Sequence, residues 1–228
     1  MPGPLSGIRV VDFTAVISGP LATMLLADQG ADVIKVEAPS RPDLLRKEWY
    51  YRGGLTSMFA NVNRGKRSVV VDLQNEQGLE TARALIARAD VIVENFRPGV
   101  MERLGLGPAE LHAEDPRLVY CRISGYGQTG PYRRRSGFAH IAHAFGGLSY
   151  LAGFPGETPV VPGTAPLGDY MSSLYGAIGI MLALRHRDKS GRGQVIDIGI
   201  YEAVFRQLDE IAGAFGMFGK VREREGAG

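Results

Sequence analysis

The chain has 228 residues, of which 45% are hydrophobic and 22% charged. That is enough for one large domain or two small ones with a real core. The formal charge of +2 at pH 7 gives no reason to invoke a nucleic acid. The single cysteine, Cys121, excludes an intrachain disulfide framework, suits a reducing compartment, and reads as a buried small hydrophobe. The opening MPGPLSGIRVV has no basic stretch followed by an apolar one. The most apolar segment, residues 174–184, is too short to span a bilayer. The expected location is therefore the cytoplasm, with no membrane partner.

In chain order, IRVVDF (8–13) reads as a strand and GPLATMLLADQGA (19–31) as a helix stopped by glycine. DVIKVE (32–37) is a second strand. Residues 39–67 are long, polar and irregular, with Trp49, Tyr50 and Tyr51, and a connection of that length is usually functional. SVVVDL (68–73) is a third strand. NEQGLETARALIARA (75–89) is a helix with acids early and arginines late, matching the helix dipole. DVIVENF (90–96) and RLVYCRIS (117–124) are further strands. A helix opens near Asp169, and another runs from about Tyr201 to Phe215 before a charged tail. The β runs are nearly continuous in apolar residues and are separated by helices. This predicts a doubly wound, Rossmann-like α/β fold with a mostly parallel sheet covered on both faces.

No GxGxxG or GxxxxGK[ST] stands where a dinucleotide or P-loop site needs it. No GxSxG elbow is present. His112, His140, His143 and His186 lack metal-ligand spacing, so no metal is expected and the histidines read as structural. Two basic clusters, NRGKRS (63–68) and YRRRSG (132–137), suit either a phosphorylated small ligand or a solvated face. VENFRPGVMERLGLG (93–107) leaves a strand, presents Asn95, Phe96 and Arg97, turns, and enters a short helix with Arg103. It reads as an anion cradle or as an ordinary strand-to-helix turn. Asp169 likewise has two readings. Before the apolar run Met171, Leu174, Tyr175, Ile178, Met181, Leu182 it looks like an N-cap, which would hold its carboxylate ionised. Such a carboxylate, following a glycine, is also fit to attack an activated acyl group.

Six stretches in fixed order carry a family likeness: GIRVVDFT…GP (7–20), GADVIKVE (30–37), NRGKRSVVVDL (63–73), VENFRPGVMERLGLG (93–107), ISGYGQTGP (123–131) and GDYMSSLYGAIGIMLAL (168–184). Together they resemble the class III CoA-transferases, formyl-CoA and carnitine-type enzymes with α-methylacyl-CoA racemase as a relative. The resemblance implies transfer of CoA from an acyl-CoA donor, succinyl-CoA among the candidates, to a free carboxylic acid. Asp169 matches the family nucleophile, which forms a mixed anhydride and then an aspartyl-CoA thioester. CoA is then a substrate, and no cofactor is held permanently. The implied CoA contacts are Asn95, Phe96, Arg97 and Arg103 beside the adenosine diphosphate, and Val71, Asp72, Leu73 and Gln74 at the adenine. Ile17 and Ser18 fall near the thioester, with Ile17 acting through its backbone, and Arg135 supplies a further basic contact. Ala38 stands where some relatives use arginine, for which Arg41 or Arg46 would substitute.

The racemase branch uses a histidine where this chain has Phe138, so the resemblance favours transferase over racemase; a non-catalytic CoA-binding domain is a third reading. Family members are longer, with a smaller second domain and two interlocked chains. The resemblance therefore implies that residues 1–200 are the N-terminal portion of a large catalytic domain, that 201–228 lead toward a second domain, and that the complete protein is a homodimer.

Overall fold

The structure is a computed structural model that describes residues 3–48 and 50–226, so Trp49 lies outside the described residues. The first half comprises β1 (Arg9–Asp12), α1 (Ser18–Asp28), β2 (Asp32–Glu37), a 3-10 turn (Leu44–Arg46), β3 (Tyr51–Arg52), β4 (Leu55–Thr56), α2 (Ser57–Asn63), β5 (Arg67–Val70), α3 (Glu76–Ile86) and β6 (Val91–Glu94). The second half comprises α4 (Val100–Arg103), α5 (Pro108–Glu114), β7 (Val119–Ser124), α6 (Ala139–Phe145), α7 (Leu148–Leu151), α8 (Leu167–Ser190), β8 (Val195–Gly199), α9 (Ile200–Arg206) and α10 (Ile211–Phe218).

Six strands form one parallel sheet in the order β5-β2-β1-β6-β7-β8, and β3 pairs with β4 in a separate antiparallel hairpin. The expected doubly wound fold is present. Neighbouring residues of one strand serve opposite layers, because strand side chains alternate faces. Val10, Val91, Val93, Val119 and Cys121 pack on the side of α1 and α8, with Ala22 and Ile180. Val11, Ile92 and Tyr120 pack on the other side, with Ala82 of α3, Met101 of α4 and Leu111 of α5. Both faces are covered, which is why the strands read as continuous apolar runs. The free thiol of Cys121 is fully buried, and burial drives its pKa far up.

Several local readings are corrected. The described residues of 39–67 include the 3-10 turn, the β3–β4 hairpin and α2, and Thr56 caps α2 by accepting from Phe59 N. β8 precedes the last helical stretch. That stretch is two helices, α9 and α10, separated where Asp209 takes a left-handed φ of 61°. Ile200, Ala203 and Val204 of α9 are buried in the core. Helix α8 has 24 residues and is long and apolar enough to cross a membrane by length and composition. Here it is a core helix. A Cβ at Gly176 would lie 3.3 Å from Ile123 Cδ1 on β7, so this glycine lets the helix settle closely on the sheet.

Because every strand of the main sheet is parallel, all its carboxyl ends lie along one edge. The chain order along the sheet reverses between β1 and β6. In open α/β sheets, ligands bind in the crevice at that reversal.

Candidate active site

A cavity of about 210 Å³ opens at the carboxyl ends of β1, β6 and β7. It is lined by residues 15–18 after β1, 95–98 after β6, 123–125 at the end of β7, the segment 135–138, Asp169 of α8 and Ile200 of α9. Seven residues named from the sequence therefore meet in one place: Ile17, Ser18, Asn95, Phe96, Arg97, Arg135 and Asp169.

The loop after β1 is held rigidly. Thr14 N donates to Asp12 Oδ1 at 2.9 Å, and Lys35 Nζ donates to Thr14 O at 2.7 Å. Asn95 Oδ1 accepts from Ala15 N at 3.0 Å, while Asn95 Nδ2 donates to Ala15 O at 2.8 Å. Asp43 Oδ1 accepts from Val16 N at 3.2 Å, and its other oxygen lies 2.9 Å from Lys35 Nζ. Under these restraints Val16 sits at φ 69°, a left-handed conformation unusual for a β-branched residue. Beneath the loop, Asp12 is buried and bonded to Lys66 Nζ at 2.9 Å and Thr23 Oγ1 at 2.7 Å. Burial alone would raise its pKa, but Lys66 and then Lys35 outweigh burial and hold it well below the carboxylate range. The loop ends at Ile17 and Ser18, where α1 begins without a side-chain cap. Its first N–H groups are thus left for the cavity.

Asp169 does not cap α8. Pro166 occupies the cap position, and Asp169 lies in the first helical turn, where its own N–H donates to Pro166 O at 2.9 Å. Asp169 is 6% exposed, and burial alone raises its pKa to about 7. The expectation that a capping bond keeps it firmly ionised is overturned, since among the described residues no side-chain bond to its carboxylate offsets the burial. Ser173 Oγ lies 2.6 Å from both Asp169 O and Ser18 O, joining the two helix starts. Ser172 Oγ donates to Asp169 O at 3.0 Å. Gly168 does not leave room beside Asp169 for a ligand. A Cβ there would meet Ile200 Cγ2 at 3.0 Å and Val204 Cγ2 at 3.2 Å, so the glycine serves the packing of α8 on α9.

The other sequence candidates lie along the same sheet edge but outside the cavity. Val71 and Leu73 share an apolar cluster with Phe96, which links the end of β5 to the cavity wall. Asp72 accepts from Gln74 N at 3.1 Å and Asn75 Nδ2 at 3.0 Å, so it shapes the turn into α3. Gln74 is exposed. Arg103 is exposed on α4 and folds back over Gly99. Arg97 Nη2 donates to Ser136 Oγ at 2.6 Å, and Arg135 stacks 4.4 Å from the centre of the Tyr132 ring. These two guanidinium groups face the mouth without a carboxylate partner among the described residues.

The basic cluster at 63–68 is engaged elsewhere. Arg64 pairs with Asp28, Lys66 with Asp12 and Arg67 with Asp32. Arg46 spends its Nε and Nη2 on Glu37 and stacks on Phe59. Phe138 lines the cavity while His140 does not. Ser124, Ser136 and Ile200 also line it and were not singled out from the sequence. The only signal for Ser124 and Ser136 was their place beside motif glycines.

The family model for CoA-transferase family III matches residues 5–228. The succinyl-CoA–L-malate CoA-transferase alpha subunit of Chloroflexus aurantiacus is 59% identical over 227 residues, covering 99% of this chain and 53% of that protein. The beta subunit from the same organism is 53% identical over 225 residues, covering 98% of this chain and 56% of that protein. Among solved structures, a CaiB/BaiF family protein from Brucella suis superimposes with a TM-score of 0.93 at 36% identity, covering 99% of this chain and 61% of that one. The chain thus spans about half the length of the curated relatives it matches. With the motif order, the fold and the family match in agreement, this chain belongs to CoA-transferase family III.

Proposed function

We propose that the complete protein moves CoA from succinyl-CoA to a small dicarboxylic acid of the malate type, with Asp169 as the covalent carrier. The observation that supports this best is Asp169 itself: a buried carboxyl group in the wall of a cavity at the switch point of the sheet, facing the uncapped start of α1. In water a carboxylate is a poor nucleophile. A carboxyl group whose pKa burial has raised to about 7 is a stronger one when ionised, and remains ionised in a large fraction of molecules at neutral pH.

In this reading an Asp169 oxygen attacks the thioester carbonyl. The C–S bond breaks, leaving an aspartyl mixed anhydride and CoA thiolate. The thiolate then attacks the aspartyl carbonyl and releases succinate, giving an aspartyl-CoA thioester. The acceptor carboxylate attacks that thioester, and the returning thiolate takes the acyl group while Asp169 is regenerated. Each tetrahedral step places negative charge on oxygen. The backbone N–H groups at Ile17 and Ser18 are the donors this chain offers for it. Arg97 and Arg135 at the mouth suit the CoA phosphates, and the apolar surface from Phe96 to Val71 and Leu73 suits the adenine. Phe138 at the cavity wall cannot move a proton, which disfavours racemisation at the α-carbon. The relatives named as alpha and beta subunits support an assembly of more than one polypeptide, and we take the interlocked, cytoplasmic pair as part of this reading.

The test is to trap the intermediate. The complete enzyme is incubated with succinyl-CoA and no acceptor, reduced with borohydride and digested. The peptide containing Asp169 should carry the alcohol derived from its carboxyl group. Normal turnover with an unmodified peptide would sink the assignment.

A further inference from the structure

The start of α8 is completed by a residue from another helix. Pro166, at the cap position, has no side-chain acceptor to offer. The chain's own carbonyls serve the neighbours: Leu167 N donates to Ala165 O at 2.9 Å and Asp169 N to Pro166 O at 2.9 Å. Gly168 N–H is left over. It donates to Nε2 of His143 at 2.9 Å, across 25 residues of sequence. His143 belongs to α6 and is fully buried. A backbone N–H can only donate, so Nε2 presents its lone pair and the ring proton sits on Nδ1. Burial, and then the neighbouring His140, hold the ring below the ordinary histidine pKa, which favours this neutral form. Nδ1 has no hydrogen-bond partner among the described residues. A buried polar group left half-satisfied calls for a reason. Packing alone would be served by an apolar side chain, so the lone pair at Nε2 is what this position supplies.

The Gly168 amide is one peptide away from Asp169, and a Cβ at Gly168 would lie 3.0 Å from Ile200 Cγ2 and 3.2 Å from Val204 Cγ2, so the turn packs closely on α9. We propose that His143 is a positioning residue, which caps α8 from α6 by accepting the Gly168 N–H and so fixes the turn that aims the Asp169 carboxylate into the cavity. This rests on the reading of Asp169 as the nucleophile. His143 touches neither substrate nor reacting atoms; it acts through the backbone.

Two substitutions in the complete enzyme separate this role from plain packing. His143→Leu keeps the volume and removes the acceptor, whereas His143→Gln restores an acceptor oxygen at similar reach. Misplacing a reacting group by a fraction of an ångström to an ångström costs up to about a hundredfold in rate, so His143→Leu should lower turnover about tenfold to a hundredfold. Its KM for succinyl-CoA should stay within about threefold, because recognition lies elsewhere. His143→Gln should stay within about threefold of the parent in both constants. Hydrogen exchange in overlapping peptides that begin before Ala165 should show the Gly168 amide exchanging faster in His143→Leu than in His143→Gln. Should His143→Leu fail to fold, His143→Asn, whose amide is too short to reach, takes its place. Equal loss in the Leu and Gln variants, unchanged turnover in the Leu variant, a defect confined to KM, or equal Gly168 exchange in both would each overturn the proposal. Asp169→Ala is the control for the underlying reading. If it still exchanges CoA, the nucleophile assignment fails, and Gly168 exchange alone decides whether His143 caps the helix.

Discussion

Replacing Asp169 with Asn should stabilise the protein at alkaline pH while disabling it. An ordinary aspartate titrates at 3.8, and burial raises Asp169 to about 7. Between those values the folded state holds a proton that the unfolded state has released. Stability therefore falls as pH rises from about 4 to about 7 and is flat above, the opposite of a salt-bridged carboxylate. A shift of this size, at 1.36 kcal/mol per pKa unit, is about 4 kcal/mol in full. About 1.7 kcal/mol of it is already present at pH 5, so the window from pH 5 to pH 8 contains about 2.5 kcal/mol. Asparagine is polar but does not ionise, so its stability lacks this slope. Urea unfolding of parent and Asp169→Asn at several pH values should show the gap between them widening by about 2.5 kcal/mol from pH 5 to pH 8 in favour of the variant. The same ionisation should appear in catalysis as an acid limb, with kcat/KM for the donor rising tenfold per pH unit below about 7. Stability curves that run parallel across this range would refute the reasoning, because burial would then not be opposing the charge.

Arg97→Ala removes a charge at the mouth that has no carboxylate partner among the described residues, and CoA affinity measured by calorimetry should weaken about tenfold to a hundredfold, by roughly 1.5–3 kcal/mol. Arg103→Ala, outside the cavity, should do so only if the phosphates extend along α4; unchanged affinity in both variants excludes this face as the phosphate site. Asp43→Ala leaves Lys35 buried without its carboxylate and frees Val16 N, so urea unfolding should register a loss of about 3–5 kcal/mol, and a loss under 1 kcal/mol would show that the clamp is not under tension. Gly168→Ala places a methyl group within 3.0 Å of Ile200 Cγ2, and overpacking of this kind costs about 1–3 kcal/mol; a variant as stable and active as the parent would mean that α9 moves freely.

Much of this architecture can be read directly in the chain. DVIKVE is β2 from its first residue to its last, because six residues of strand-favouring character are bounded by Gly30–Ala31 and by the turn after Glu37. β8 escaped because VIDIG runs without a break into the apolar pattern of α9, and an edge strand with alternating exposure is short and weakly marked. α2 was hidden by its polar surroundings, although Thr56 is a good cap three residues before Phe59. The cavity residues after β1 and β6 were legible because the sheet order brings two motif-bearing turns together. The pairings that use up Lys66, Arg46 and Asn95 were not, because their partners are 54, 9 and 80 residues away and no local pattern encodes them. Asp169 looked like a cap because Asp commonly is one; only the position of Pro166 shows that the helix had already begun.

The hydroxyl of Ser173 spans 155 residues of chain to reach Ser18, and Asn95 reaches Ala15 across 80. These long closures set a timetable for the nascent polypeptide. β1, α1 and β2 can pair as they leave the ribosome, but the left-handed turn at Val16 has no Asn95 to hold it until β6 has been made, and the floor beneath it is open until α8 arrives. Contacts of such high sequence separation form late and slowly. The cavity is therefore among the last parts of the domain to close, and a chain interrupted before α8 would lack a cavity wall together with the edge strand β8 and the helix that covers one face of the sheet.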